Sequence, residues 1–353
     1  MLRADVSSSP IPLPLLISGI AGPSGYHALH YFQARYPGRV IGIRQLDTWR
    51  LEGPGVVACN TEDLEGLERL FDCHRFRAVL DCAGSCALKA CQLDPVLARR
   101  ANVEGVGHIA AVAQARGVRL VHLSVDLVFG GKEGGGYVET DPTDPVTVYG
   151  KTMVEGEQII ARVHPEALIL RISLPMAVSF NGHAGAVDWI ASRFRKSRPA
   201  TLYTDEIRTP TYGDCLSRLC EMMLAGTLNG IYHAGGPTRL SLYQIAQVIN
   251  RLGDYDPRLL FGMPRRHAGP IPPRAGDVTM DSGKLAQTLG FNPFSPWPLD
   301  PRLMPVGFDW HHERPKGEWR GPEALHQLLC VNRSLPQAGL IPCQPRRHYG
   351  LTG

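Results

Sequence analysis

Three sets of residues in this chain of 353 amino acids could do chemistry. The first is a single tyrosine, Tyr149, in the run PVTVYGKTMVEGE. A phenol can hand a proton to a carbonyl oxygen, but its reference pKa is about 10, so it works near neutrality only beside a cation that favours the phenolate. The second is Gly19-x-x-Gly22-x-x-Gly25. Between a strand and a helix such a spacing serves a dinucleotide: Gly19 for the tight turn, Gly22 for close approach of a pyrophosphate, Gly25 for helix–strand packing. The third is a set of arginines. Arg44 follows an apolar run where a fold specific for NAD carries an acid, so it either favours a 2′-phosphate or is a solvated surface arginine. Arg208 and Arg274 offer planar forks that suit phosphate, and a salt bridge is the plain alternative for each. No metal site is expected. Cys82, Cys86 and Cys91 fit no zinc or iron–sulfur spacing, and His311 with His312, being adjacent, cannot easily converge on one ion.

These residues need elements to hold them. The apolar run that opens residues 13–33 ahead of Gly19, and the runs Val40–Ile43, Val56–Cys59, Ala78–Cys82, Leu120–Ser124 and Ala167–Ile172, read as short buried strands. Helical patterns alternate with them: one after the glycines, one capped around Asn60-Thr61-Glu62-Asp63, a long one over Asp94–Gln114, and one from Val148 to Val163 with Tyr149 in its first turn. Such alternation implies an α/β fold, a Rossmann-type doubly wound parallel sheet with a smaller C-terminal substrate-binding lobe. The expected division is a tail over 1–12, an NAD(P)-binding domain over 13–175 to which later segments return, a mainly substrate-binding lobe over 176–299, and an extension over 300–353. That extension, with a short helix over Glu323–Val331, either packs over the lobes or makes a homo-oligomer contact.

Bulk composition narrows the class. With 44% hydrophobic and 20% charged residues the chain reads as an ordinary soluble globular protein. A formal charge of +4 is too small to suggest nucleic acid, and no apolar run reaches the roughly 18 residues of a membrane helix. The apolar N-terminal patch is broken by prolines and runs into the glycine motif, so it reads as a tail and first strand rather than a leader. Nine cysteines without a CxxC pair fit reduced thiols and a cytoplasmic location.

The stretch LVHLSVDLVFGG…VYGKTMVEGE resembles the dTDP-4-dehydrorhamnose reductase family of extended short-chain dehydrogenases, whose runs have the form S-T-D-Y-V-F-D-G and Y-G-x-T-K-x-x-G-E. DEIRTPTYGDCL, GIYHAGGPTRLSLYQIAQVI and PRAGDVTMDSGKLAQTLGF resemble later family segments in the same order, which extends the likeness over roughly residues 13–298. The resemblance implies that Tyr149 donates the proton to a ketone receiving hydride. It also implies that Ala83, Gly84 and Ser85 of DCAGS pass beneath the cofactor and that Asn102 supports the active-site backbone.

Two positions depart from the family. Val125 stands for the strand-end Ser or Thr, and Met153 for the lysine one turn after the tyrosine. Lys151 lies roughly 200° round the helix from that tyrosine, and Ser124 faces the other side of its strand, so neither is a replacement. Leu127 and Leu174 replace aromatic substrate contacts and make the pocket more apolar.

Three functions follow. One is an NAD(P)H-dependent ketoreductase of a nucleotide-linked 4-keto sugar or a related carbonyl, preferring NADP(H) with NAD(H) left open. The second is a catalytically degenerate NADP-binding regulatory or scaffold subunit. The regulatory beta subunit of methionine adenosyltransferase sets a precedent on this scaffold, although it keeps the lysine. The third is altered carbonyl chemistry in the same pocket.

Overall fold

The computed structural model describes residues 10–84, 87–182 and 184–332. Its centre is a sheet of strands β1 (Leu15–Ile17), β2 (Val40–Arg44), β3 (Val56–Ala58), β4 (Ala78–Asp81), β5 (Arg119–Val125) and β6 (Leu168–Ile172), joined by Gly230–Ala234. The order across the sheet is Gly230–Ala234, β6, β5, β4, β1, β2, β3, and every pairing is parallel. The strand order reverses between β1 and β4, which opens a crevice at their carboxyl ends where such sheets take ligands.

The strands read as apolar runs because helices cover both faces. On one side helix α1 (Pro23–Arg35) packs against the helix Gly213–Ala225, enclosing Leu15, Ile17, Phe32, Leu216 and Leu219. On the other, helix α2 (Leu64–His74) and the helices Gly105–Ala115 and Val148–Val163 enclose Leu16, Leu67, Phe71, Ile109 and Ile160. Asp63 caps α2 by accepting the Gly66 amide at 2.9 Å. The cap expected around Asn60–Asp63 is thus its last residue.

The long helix expected over 94–114 is interrupted. It runs as Pro95–Arg99, a π-helical turn Arg100–Glu104, and Gly105–Ala115. Crowding accounts for the irregularity: a Cβ on Gly105 would sit 2.3 Å from Thr61 Oγ1, and one on Gly156 would sit 2.5 Å from the Asn102 carbonyl. Turns of this kind concentrate at functional sites.

A buried ion pair ties β6 to the Val148–Val163 helix. Arg171 donates Nε and Nη2 to the two Glu157 oxygens at 2.9 and 2.7 Å, and Ser124 adds its hydroxyl to the same carboxylate. Both charged side chains are nearly sealed from solvent. Removing one partner strands the other, so Arg171→Met is expected to lower stability by about 3–5 kcal/mol, read as a shift in urea midpoint.

A second group of elements beside the main sheet is built from short strand pairs, Ala200–Tyr203 with Leu260–Met263 and Ile207–Arg208 with Leu240–Ser241. The helices Ala186–Arg195 and Leu242–Leu252 complete it, the latter opened by a capping box of Ser241 and Gln244. Residues 213–234 leave this group to supply a covering helix and a strand to the main sheet.

Residues 300–332 pack on the rest of the fold. The helix Pro322–Leu329 lies against the body, with Trp297 Nε1 donating to the Leu329 carbonyl at 2.9 Å and Tyr212 Oη to that of Leu328 at 3.0 Å. Asn332 follows, its amide donating to Asp214 Oδ2 at 2.9 Å, while Asp214 Oδ1 lies 2.7 Å from His27 Nε2 on α1. Arg251 bonds Glu318 and lies 4.1 Å over the Trp310 ring. Seven cysteines of the described residues are free thiols. Among the described residues no helix is long and apolar enough to cross a membrane.

Candidate active site

The glycine loop at the crevice has the shape its spacing predicts. Gly19 adopts φ +63°, and a Cβ there would lie 2.1 Å from the Cys82 carbonyl. A Cβ on Gly25 would lie 2.3 Å from the Gly19 carbonyl. Gly22 differs, because a Cβ there would meet only the Gly19 carbonyl at 3.6 Å. Two glycines are therefore required by packing, and the middle one borders open space. Gly22 also precedes α1, whose first turn has Pro23 and no side-chain cap at the N-cap position, leaving backbone amides directed outward. A pyrophosphate fits this cradle.

The floor beneath the loop is braced by a group that the sequence reading did not pick out. Asp81, fully buried, accepts the Ser18 hydroxyl and the Ala83 amide (3.1 Å), and its Oδ2 lies 2.7 Å from His122 Nδ1. Ser18 Oγ in turn accepts the Cys82 and Ala83 amides at 3.0 and 3.1 Å. The ends of β1 and β4 and the middle of β5 are thus joined through one carboxylate. A serine directly before the first glycine, and a strand-end acid in the DCAG segment, were the available signals.

Gly84, at the mouth of that segment, is flanked by Asn102 and Met153: a Cβ on it would sit 3.0 Å from Asn102 Oδ1 and 3.9 Å from Met153 Sδ. Asn102 Nδ2 donates to Thr152 Oγ1 at 2.9 Å, which links the π-helical turn Arg100–Glu104 to the tyrosine helix. Ser85 lies outside the described residues. Arg44 closes β2, with Nη1 donating to the carbonyls of Gln45 (3.1 Å) and Leu46 (3.5 Å) and its Nε buried without a partner.

Tyr149 occupies the first turn of the helix Val148–Val163. Thr147 begins that helix by accepting the Gly150 amide at 2.9 Å, and Gln92 Oε1 accepts the Val148 amide at 3.1 Å. Gly150 is needed because a Cβ there would stand 2.2 Å from the Leu127 carbonyl, so the helix start presses onto the turn Asp126–Val128. Tyr149 (8% exposed) packs with Leu127, Val128 and Met153, with Val125 half-buried against them. Lys151 is exposed, and the Ser124 hydroxyl is spent on Glu157. Neither neighbour substitutes for the missing groups.

Arg208 is brought beside this turn. Its Nε donates to Asp126 Oδ2 at 2.7 Å and its Nη2 to Asp126 Oδ1, while Glu206 lies 3.7 Å from its Nη1. Ser173 also donates to Asp126, at 2.6 Å. Burial opposes the Arg208 charge, but Asp126 and Glu206, and after them Tyr149, outweigh it and raise its pKa. Glu206 is pushed up by burial against the pull of Arg208 and Arg274. Arg274 is partly exposed, 3.7 Å from Glu206 and 4.6 Å over the Tyr203 ring. Leu174 is half-buried at the end of β6. Asp126, Ser173 and Glu206 were missed in the sequence, although Asp126 is the acid of the S-T-D-like run.

Residues 15–299 match the family described as the RmlD substrate binding domain. The chain belongs to that family. Among curated RmlD-like relatives, a probable low-salt glycan biosynthesis reductase of Haloferax volcanii is 30% identical over 182 residues, which cover 51% of this chain and 60% of that protein. A dTDP-4-dehydrorhamnose reductase of Aggregatibacter actinomycetemcomitans is 29% identical over 224 residues, 60% of this chain and 74% of the relative. The crystal structure of dTDP-4-dehydrorhamnose reductase from Bacillus anthracis in complex with NADP superposes with a TM-score of 0.66 at 18% identity, over 80% of this chain and 95% of that one. The RmlD family match ends before the Pro322–Leu329 helix, so the C-terminal extension lies outside it.

Proposed function

We propose that this chain is an NAD(P)H-dependent ketoreductase acting on the 4-keto group of a nucleotide-linked sugar. The observation that carries the reading is the position of Tyr149, at a helix start pressed onto the end of the strand that leads out of the crevice, within a chain matched to the family from end to end of its core. A nicotinamide, when bound, would supply hydride for the carbonyl carbon. Tyr149 gives its phenolic proton to the carbonyl oxygen as the C=O bond becomes a C–OH bond, and water restores that proton afterwards. Gly22 and the α1 amides would hold a pyrophosphate, and Ala83 and Gly84 would pass beneath the cofactor, with Asn102 fixing the backbone. Leu127 and Leu174 present apolar surface to the sugar ring, and Arg274, the more exposed of the two inward arginines, takes a substrate phosphate.

Arg44 supports a preference for NADPH, since its guanidinium stands at the end of β2 with capacity left for a 2′-phosphate. The test is a thermal-shift titration with NADPH and NADH, repeated with a panel of nucleotide sugars. A ligand at 100 times its Kd stabilises by about 2.7 kcal/mol. The expected result is a larger shift with NADPH, raised further by one nucleotide sugar, and a loss of the NADPH advantage in Arg44→Ser. A shift with cofactor and none with any sugar nucleotide would overturn the substrate assignment.

A further inference from the structure

Met153 leaves the tyrosine helix without the cation that a phenol needs to work near neutrality, and the exposed Lys151 cannot reach round the helix to supply it. We propose that Arg208, held on Asp126, is the positive charge that stands beside Tyr149 in this chain and makes it a proton donor. The assignment rests on the reductase reading and adds a positioning residue to it.

Three observations converge. The Leu127 carbonyl touches Gly150, so the turn Asp126–Val128 and the tyrosine's own turn of helix form one packed unit. Arg208 is bonded to that turn by two hydrogen bonds to Asp126, and it is buried, so its field is not screened by bulk water. Tyr149 is among the groups whose charge Arg208 feels. The remaining charges facing this place from the second group of elements are Glu206 and, behind it, Arg274. The helices packed on the other side present Lys89, Asp94, Arg99, Arg100 and Glu104 to solvent. Arg171, a second buried cation near this cluster, has its fork engaged on both oxygens of Glu157 of the tyrosine's own helix. Among the described residues Arg208 is thus the buried cation on the turn packed against Tyr149's turn of helix, and Asp126 is the group that both fixes it and tempers it. One consequence is that the elements carrying Arg208 must be packed beside the main sheet for Tyr149 to be activated.

The test reads Tyr149 directly. The full chain is labelled with 13C at tyrosine Cζ, its resonance is assigned with Tyr149→Phe, and its pH titration is followed without cofactor or substrate. Arg208→Met is expected to raise the Tyr149 midpoint by about one unit or more, and Asp126→Asn, which leaves Arg208 unpaired, to lower it. Arg208→Lys keeps the charge and should restore most of the wild-type value. If Arg208→Met fails to fold, Arg208→Met combined with Asp126→Asn removes the carboxylate that Arg208 would leave unpaired, with Glu206 still facing Arg274, and its midpoint should lie above that of Asp126→Asn alone. Equal midpoints in those two variants, or an unmoved midpoint in folded Arg208→Met, would overturn the assignment. Either failure removes Arg208 only, because the reductase reading stands or falls on the nucleotide-sugar shift.

Discussion

Gly19→Ala is expected to abolish the thermal shift given by NADPH, with apparent affinity falling at least about 100-fold. Two penalties combine. An L-residue in the left-handed region costs about 1–3 kcal/mol, and here the added methyl would lie 2.1 Å from the Cys82 carbonyl, an atom of rigid backbone. Cys82 cannot retreat cheaply, because its amide is bonded to Ser18 Oγ and the next amide to both Ser18 and Asp81. The strain is relieved by moving the loop, and a loop moved by even 1 Å no longer presents the α1 amides to a pyrophosphate. Gly22→Ala is the control: with open space around that position, the fold should be kept and only ligand approach obstructed. Calorimetric titration with NADPH, beside unfolding without ligand, separates the two effects.

The second large effect is a gain. Val125→Thr with Met153→Lys is expected to raise reductase turnover on the responding nucleotide sugar by about 10²-fold or more, since a positioned acid–base group is worth about 10²–10⁴. Both positions adjoin the site: Val125 is half-buried at the end of β5, and Met153 Sδ lies beside the DCAG loop near Gly84. If Arg208 already supplies charge at Tyr149, the single Val125→Thr change should carry most of the gain, because it adds the only function still lacking at the carbonyl. The lysine then contributes through ribose contact. Single-turnover rates of the two single variants and the double variant decide this. No gain in any of them would mean that the pocket no longer seats a family-type ketone near Tyr149.

The dinucleotide half of the molecule was legible because its constraints are local. Glycines fall at a fixed spacing, apolar runs have strand length, and Thr147 caps a helix whose span from Val148 to Val163 matches the expected one. The interruption at Arg100–Glu104 was not legible, since it comes from Gly105 meeting Thr61 and Gly156 meeting Asn102, contacts between residues more than forty positions apart. The same holds within the site. Tyr149, Val125 and Met153 could be read from one run. That Asp126 would hold Arg208, or Asp81 join Ser18 to His122, depends on which strands the sheet order sets side by side. Short motifs reveal the residues of a site; topology chooses their partners.

The chain of contacts from Asn332 through Asp214 to His27 gives the extension a meaning beyond cover. It connects the segment past residue 300 to the helix whose N-terminus faces the glycine loop. Because α1 and the Pro322–Leu329 helix share these contacts, deleting the residues after 321 is expected to weaken NADPH binding, read by calorimetric titration, and an unchanged affinity would show that the extension is cover alone. A version of this protein trimmed to the family's length would not be a smaller copy, but one whose binding loop had lost its far anchor.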